Sequence, residues 1–344
     1  MLYKKIIRPL LFKFDAEKIH ERTIKLLTSD FLPPLIKPFC NFNSSKLQRK
    51  VGRLTFKNPI GLAAGMDKNC VAMKSWNAIG FGFAEAGTVT PLPQQGNAKP
   101  RMFRLKDNLG IINRLGFNNV GADEFEKNLE KAREELPGDF LIGVNIGKDK
   151  RTELDDAFQD YKFTFEMCFE HADYFAINVS SPNTEGLRQL QQRKYLDEIL
   201  KSLQLLNKEL DEIYPSEQKD IYLKIAPDLT ETELEDILQV SIDNRITGII
   251  ATNTTISCDT LPVGNYEQGG LSGKPLEAIS SAVLRFIKKE AGEKLVLIGC
   301  GGIFNADDVK EKFDLGASLV QIYTGLVYKG AGLVKRIKKE LANG

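Results

Sequence analysis

Residues 176–183 read Ala-Ile-Asn-Val-Ser-Ser-Pro-Asn. The run from Tyr174 to Asn178 is short, apolar and of strand type, and it ends abruptly in small, polar, turn-forming residues. In a parallel α/β protein the C-terminal end of a strand is where ligands bind. Two amides, Asn178 and Asn183, bracket the hydroxyl of Ser181, with Pro182 restricting the backbone beside it. An amide carries donors and an acceptor, which suits a planar ring with alternating N–H and C=O groups. Taken alone, the same residues are equally a plain turn after a buried strand.

Seven more segments end in the same way. Strands are predicted at 60–63, 83–87, 141–146, 174–178, 222–225, 248–252, 295–299 and 319–323. Amphipathic helical stretches lie between most of them, at 123–135, 154–171, 195–213, 231–243, 276–290 and 306–313. Eight strands alternating with helices predict an α/β fold of the (β/α)8 TIM-barrel type, with an N-terminal helical extension. A doubly wound sheet is the alternative. It would want G-x-G-x-x-G in its first turn, and Gly61-Leu-Ala-Ala-Gly65 does not supply that. The expected division is residues 1–45 for the extension and 46–344 for the barrel.

Composition narrows the chemistry. The chain has 344 residues, 42% of them hydrophobic, and a net charge of +1, so nothing global points to nucleic acid. Its five cysteines (Cys40, Cys70, Cys168, Cys258, Cys300) form no C-x-x-C pair, and there are two histidines. That argues against a disulfide framework, an iron–sulfur cluster and a metal site, and for reduced thiols facing the cytosol.

Charge is uneven. Residues 1–40 hold eight Lys/Arg and four Asp/Glu, a net of +4, which leaves −3 for the rest. An apolar stripe of helical spacing runs through Leu2, Tyr3, Ile6, Ile7, Leu10, Leu11 and Phe14, with Pro9 set to interrupt it. Asp15 is placed to cap a second helix through Ile19, Thr23 and Leu27. No stretch is long and apolar enough to span a membrane, and the charges break any secretory signal. A basic amphipathic segment suits a membrane surface, and equally an extra helix docked on the domain. Residues 39–50 read as a linker, and 51–59 as a strand or hairpin.

Reading the loops after the strands assembles a mouth with at least five asparagines and no histidine. Glycine-rich turns at Gly269–Gly273 and Gly301-Gly302, with Tyr323-Thr324, suit a phosphate cradle near helix starts. Lys224 sits near the mouth end of a buried strand, where a lone cation is costly unless it faces an anion. A flavin whose N1–C2=O edge becomes negative on reduction would supply one; a lysine reaching out of the mouth is the alternative.

The ordered motifs GLAAGMDKN, GTVTP, INRLGFNN, GVNIGK, NVSSPNT, KIAPD, ATNTT, GGLSGKPL, IGCGGI and QIYTG, running from about residue 52 to the end, resemble dihydroorotate dehydrogenases. The serine of NVSSPN and the N-terminal extension resemble the quinone-dependent, membrane-associated class; the soluble class carries a cysteine base and lacks the extension. The resemblance implies oxidation of dihydroorotate to orotate in pyrimidine biosynthesis. FMN is the implied cofactor, a membrane quinone the acceptor, and the place the cytoplasmic side of the cell's inner membrane, reached through residues 1–40.

It also implies roles residue by residue. Ser181 is the catalytic base for the C5 proton while a hydride leaves C6 for the flavin. Lys68, Asn113, Arg114, Leu115, Gly116, Phe117, Asn178, Asn183, Asn253 and Thr254 hold the substrate. Ala64, Gly65, Met66, Asp67, Lys68, Thr88, Asn145, Asn178, Lys224, Thr252, Gly273, Gly302, Tyr323 and Thr324 hold FMN. His20 and Arg104 lie near the quinone tunnel, where Val327 stands at a position that is often threonine in the family. No metal is implied. A soluble enzyme using fumarate or NAD, and a non-catalytic flavin- or phosphate-binding barrel, are the competing readings.

Overall fold

The computed structural model describes residues 3–214 and 218–343. A π-helical turn at Tyr3–Ile7 leads into α1 (Arg8–Leu11), followed by α2 (Ala16–Leu27) and α3 (Leu32–Cys40). The hairpin β1 (Arg49–Val51) and β2 (Leu54–Phe56) comes next. The chain then runs β3 (Ile60–Leu62), α4 (Met73–Ile79), β4 (Phe83–Val89), β5 (Met102–Leu105), β6 (Gly110–Asn113), α5 (Ala122–Glu135), β7 (Leu141–Ile146), α6 (Ala157–Cys168) and β8 (Tyr174–Asn178). It continues through α7 (Arg193–Ile213), β9 (Asp220–Ile225), α8 (Glu231–Asp243), β10 (Gly248–Ala251), β11 (Gly270–Gly273), α9 (Glu277–Ala291), β12 (Val296–Cys300), α10 (Ala306–Asp314), β13 (Leu319–Ile322), α11 (Thr324–Lys329) and α12 (Gly332–Asn343).

Eight of these strands close a parallel barrel in the order β10-β12-β13-β3-β4-β7-β8-β9. They are the eight expected from sequence, with ends that differ by two residues at most. Side chains alternate along a strand, so each contributes one set inward and one outward. On β8, Phe175 and Ile177 pack outward against the helices, whereas Tyr174, Ala176 and Asn178 point in. On β9 the inward set is Asp220, Tyr222 and Lys224. Deep in the barrel this set is apolar: Phe83, Leu141, Tyr174, Tyr222, Ile250, Ile298 and Leu319 fill it. The hairpin plugs that end, with Phe56 edge-on to Phe83 at 5.0 Å. Toward the C-terminal ends of the strands the same inward rows become polar.

Two departures from the sequence reading shape the mouth. First, Gly270–Gly273 is not a helix-leading turn but a strand. It pairs antiparallel with β6, and β6 with β5, in a three-stranded sheet beside the barrel opening. Gly269 and Gly273 adopt positive φ (145° and 97°), conformations glycine reaches without strain, and they bracket the strand. Second, residues 39–50 are not a linker. α3 reaches Cys40, a short turn follows at Ser45–Leu47, and β1 begins at Arg49. Pro33 and Pro34 occupy the first turn of α3, where a missing N–H costs nothing.

Of the N-terminal helices, α2 docks on β5 of the three-stranded sheet, while α3 packs against α4 and α12. Pro9 falls in the first turn of α1, at the junction with the π-helical turn. Asp15 caps α2, accepting from Lys18 N at 2.8 Å, as expected. Leu2 of the predicted stripe lies outside the described residues. Phe12 stacks edge-on to Tyr328 at 5.3 Å. Glu17 and Arg101 form a buried ion pair at 2.7 Å that fastens α2 to the loop before β5.

Candidate active site

A cavity of about 1000 Å³ opens at the C-terminal ends of the strands, at the top of the size range of roughly 300–1,000 Å³ usual for ligand sites. Nineteen residues singled out from sequence line it. From the substrate set come Lys68, Asn113, Leu115, Gly116, Phe117, Asn178, Asn183, Asn253 and Thr254, together with Ser181. From the cofactor set come Ala64, Gly65, Thr88, Lys224, Thr252, Gly273, Gly302, Tyr323 and Thr324.

The inward rows explain why its floor is polar. Asn178 and Lys224 are direct neighbours across β8 and β9, and Gly87 and Asn145 across β4 and β7. Lys224 Nζ pairs with Glu85 Oε1 at 3.0 Å, both side chains almost wholly buried. Glu85 also accepts from Asn145 Nδ2 at 2.8 Å and from Gln321 Nε2. Burial disfavours the Lys224 ammonium, but Glu85 outweighs it and holds the pKa above the ordinary lysine value. The expected anion opposite Lys224 is therefore a carboxylate of the chain itself. It is not the reaching-out lysine of the alternative, and its ammonium still borders the cavity.

From Glu85 the hydrogen bonds run upward through amides. Thr88 Oγ1 donates to Asn145 Oδ1, and Asn178 Nδ2 donates to Thr88 Oγ1 at 2.9 Å. Asn253 Nδ2 donates to Asn178 Oδ1 at 3.3 Å and to Ser180 Oγ at 3.1 Å. Across the mouth, Asn183 Nδ2 donates to Asn113 Oδ1 at 3.1 Å. Each amide is thus held in one orientation by its neighbour, which presets donors and acceptors for a bound ring. Ser181 is buried, and its Oγ accepts from Asn183 N at 3.3 Å. Among the described residues no carboxylate or imidazole bonds to that oxygen.

The opposite wall suits a phosphate. Gly301 and Gly302 both have positive φ (117° and 78°), and a Cβ on Gly302 would meet Glu277 at 2.4 Å, so only glycine fits. Among the described residues neither backbone N–H meets a protein acceptor. Successive free N–H groups in such a turn form an anion-binding concavity. A buried ammonium at the floor, oriented amides above it and this turn at the far side together fit a phosphorylated, planar cofactor.

A second cavity, of about 920 Å³, lies between α2 and the loop after β3. Lys68 and Leu115 line both cavities and so form their common wall. Lys68 Nζ donates to Asn118 Oδ1; burial, with Arg101 nearby, pushes its pKa down to about 7. His20 lines the second cavity, and burial pushes it down to about 4, so it is neutral near pH 7. Arg104 borders neither. Its guanidinium donates to the carbonyls of Leu11 and Phe14 and lies over Phe12, pinning the α1–α2 junction. Val327 packs on the core, and its carbonyl accepts from Tyr3 Oη at 2.7 Å.

Besides Arg104, four residues fall elsewhere than the sequence reading put them. Arg114 turns away from the mouth to Glu267 at 2.9 Å and the Pro100 carbonyl at 3.0 Å, with its guanidinium over Phe103. Met66 faces the second cavity. Asp67 spends its carboxylate on Val71 N, Ala72 N and Trp76 Nε1, which shapes the start of α4. Asn145 lies one layer beneath the lining, as the link to Glu85. The sequence reading missed Glu85, Gln321 and Ser180. Glu85 has a signal after the fact: it is the one charge in the apolar run Phe83–Val89, on the inward parity of its strand.

The sequence family described as dihydroorotate dehydrogenase matches residues 46–344. A dihydroorotate dehydrogenase (quinone) of Christiangramia forsetii is 45% identical over 99% of this chain and 98% of its own length. One from Aliivibrio fischeri is 46% identical over 98% of this chain and 99% of its own. Among solved structures, a DHODH of Eimeria tenella in complex with ferulenol superposes with a TM-score of 0.89 at 38% identity, covering 96% of this chain and 91% of that one.

Proposed function

The chain belongs to the dihydroorotate dehydrogenase family, and on that premise we propose how its own residues carry out the reaction. It is a flavin-dependent oxidoreductase that oxidises dihydroorotate to orotate in pyrimidine biosynthesis, with a quinone as acceptor. The Gly301-Gly302 turn supports FMN as the flavin, since it suits a phosphate group. Gly301-Gly302 would hold its phosphate, and the chemistry it would supply when bound is an acceptor for the hydride that leaves substrate C6.

The observation that carries the residue roles is the meeting of Ser181, four oriented asparagines and a buried ammonium around one cavity. Asn113, Asn178, Asn183 and Asn253 take the alternating N–H and C=O groups of the pyrimidine ring. Lys68 takes the carboxylate. Ser181 Oγ accepts the C5 proton as the C5–H electrons form the new ring double bond. A serine is a weak base at its free pKa, and among the described residues none accepts the proton of Oγ, so it passes that proton to water. Lys224, held charged by Glu85, favours accumulation of negative charge at the cavity floor.

The quinone approaches through the extension. Eight of the large apolar side chains that stand exposed lie between Ile6 and Phe39, against seven in the rest of the described residues. No helix among the described residues is long and apolar enough to cross a membrane. The exposed apolar side chains and the basic residues beside them support placing these helices on a membrane surface, which we assign to the cytoplasmic face of the inner membrane. Quinone enters between them and reaches the wall formed by Lys68 and Leu115.

The test is stopped-flow reduction of the bound flavin by dihydroorotate, read as bleaching of its visible spectrum. Ser181→Ala should keep its flavin and bleach roughly 10²–10⁴-fold more slowly, the usual cost of a lost general base. Bleaching at wild-type speed would remove Ser181 from that role; no bleaching by dihydroorotate in the unaltered protein would overturn the reading as a whole.

A further inference from the structure

Arg188 lies in the short 3-10 turn Leu187–Gln191, seven positions beyond Ser181, on the outer side of the mouth. It does not line the cavity. Its guanidinium nonetheless ties together two loops that do, after β8 and β10, and the loop after β9 beside them. Nε donates to the Ser180 carbonyl at 3.2 Å, in the loop after β8. Nη2 donates to the Thr254 carbonyl at 3.1 Å, in the loop after β10. Nη1 pairs with Asp228 Oδ2 at 2.8 Å, in the loop after β9. Asp228 returns the grip by accepting from Thr255 Oγ1 and from Ile256 N at 3.2 Å.

The Ser180 carbonyl belongs to the peptide unit that bears the Ser181 nitrogen. That unit is planar, so fixing its oxygen fixes the direction in which the Ser181 Cα leaves it. The Thr254 carbonyl sits one residue from Asn253, whose amide holds Asn178 and Ser180. One rigid fork therefore sets the distance between the hydroxyl and the amide ring it must serve. A guanidinium donates from three separate nitrogens fixed in one plane, which matches three acceptors spread over three loops; an ammonium donates from a single atom on a flexible stem and lacks that fixed fork.

We propose that Arg188 is a positioning residue for the oxidation of dihydroorotate, acting through the Ser180–Ser181 peptide to hold Ser181 Oγ in line with the substrate's C5 proton. This rests on Ser181 being the base. The barrel core is complete without Arg188, so its loss should displace a loop rather than unfold the chain. Misplacement by about 1 Å can cost on the order of 100-fold in rate.

A double-mutant cycle on the full-length, flavin-loaded protein decides it, with wild type, Ser181→Ala, Arg188→Ala and the double variant. Each is read by flavin content, melting temperature and single-turnover bleaching with substrate deuterated at C5 or at C6. Arg188→Ala should keep its flavin and bleach about 100-fold more slowly, the size of a misplaced group. Its C5 isotope effect should rise while the C6 effect stays, and in the Ser181→Ala background most of the penalty should vanish. Arg188→Lys should recover little, and it replaces Arg188→Ala in the cycle if the latter fails to fold. A penalty of the same size in both backgrounds, with Ser181→Ala itself slow, overturns the inference and leaves Ser181 as the base. So does wild-type speed in Arg188→Ala. Wild-type speed in Ser181→Ala removes the base assignment, and this inference with it.

Discussion

The barrel mouth and the N-terminal helices invert each other. In the mouth, charge is inside: the side chains of Glu85 and Lys224 are 0% and 5% exposed, and the apolar faces of their strands are covered by helices. In the extension, oil is outside: Phe31 and Phe39 are 82% and 78% exposed, while Glu17 and Arg101 are buried beneath. Both arrangements are costly in an isolated chain. A buried charge survives only when paired and hydrogen-bonded, and Glu85 is satisfied by Lys224, Asn145 and Gln321. A cluster of exposed apolar side chains marks a surface that meets something apolar. In the proposed reading each region is completed by a different phase: a polar, anionic ligand set in the mouth, and an apolar membrane with its quinone at the helices.

The largest expected effect comes from breaking the charge pair. Lys224→Ala leaves Glu85 buried without its cation, which typically costs about 3–5 kcal/mol of stability. The variant should lose flavin, and whatever flavin remains should have a lower midpoint potential, because a cation favouring the more negative reduced form has gone. The double variant Lys224→Met/Glu85→Leu sharpens the point. It should regain much of the stability, since an apolar pair of similar volume avoids the desolvation cost, without regaining the potential. Full flavin content and an unchanged midpoint in Lys224→Ala would make the pair a device of the barrel core alone.

The second effect tests the other region. Removing residues 1–40 takes away the exposed apolar surface and one wall of the cavity that holds His20. Dihydroorotate should still bleach the flavin, and a small soluble dye should still accept electrons. Quinone turnover should fall about 100-fold, as expected when a reactant loses its positioning site. The ratio of quinone to dye turnover is the measurement. An unchanged ratio would make the helices mere packing and would remove the quinone entry from between them.

What was readable from sequence divides along the same line. Barrel strands β7 and β8 could be read to the residue because a short, continuous apolar run that stops at Asn or Gly fits little besides a strand buried on both faces. The loop residues followed, since the fold brings every strand end to one mouth. What failed depends on pairing across long separations. Lys224 stands out in sequence, but its partner Glu85 is 139 positions away, and nothing in the sequence links the two until the barrel closes. The sheet of β5, β6 and β11 joins Asn113 to Gly270 across half the chain, so β11 read as a glycine turn. α3 was hidden by Pro33, Pro34 and Pro38, which signal an end to a helix but here mostly occupy its start. Arg114 was placed in the mouth by its neighbours in INRLGFNN, yet on the antiparallel sheet its side chain leaves on the other face.

The smallest effect sits at Lys68, on the wall between the two regions. Burial pushes its pKa down to about 7, with Arg101 adding to the depression and Glu17 opposing it. Below pH 7 the ammonium is present to meet the carboxylate of dihydroorotate. As pH rises through 7 the free enzyme loses that proton, and binding must first restore it. KM for dihydroorotate should therefore rise with pH, approaching tenfold per unit well above 7, since one proton is then taken up per substrate bound. The rate at saturation should change less, because bound substrate holds the ammonium charged. Lys68→Arg carries a charge that does not titrate in this range, so its KM should stay flat from pH 6 to pH 9, whatever its absolute value. Parallel KM profiles in the two proteins would take Lys68 out of the carboxylate site and leave it a structural neighbour of Asn118.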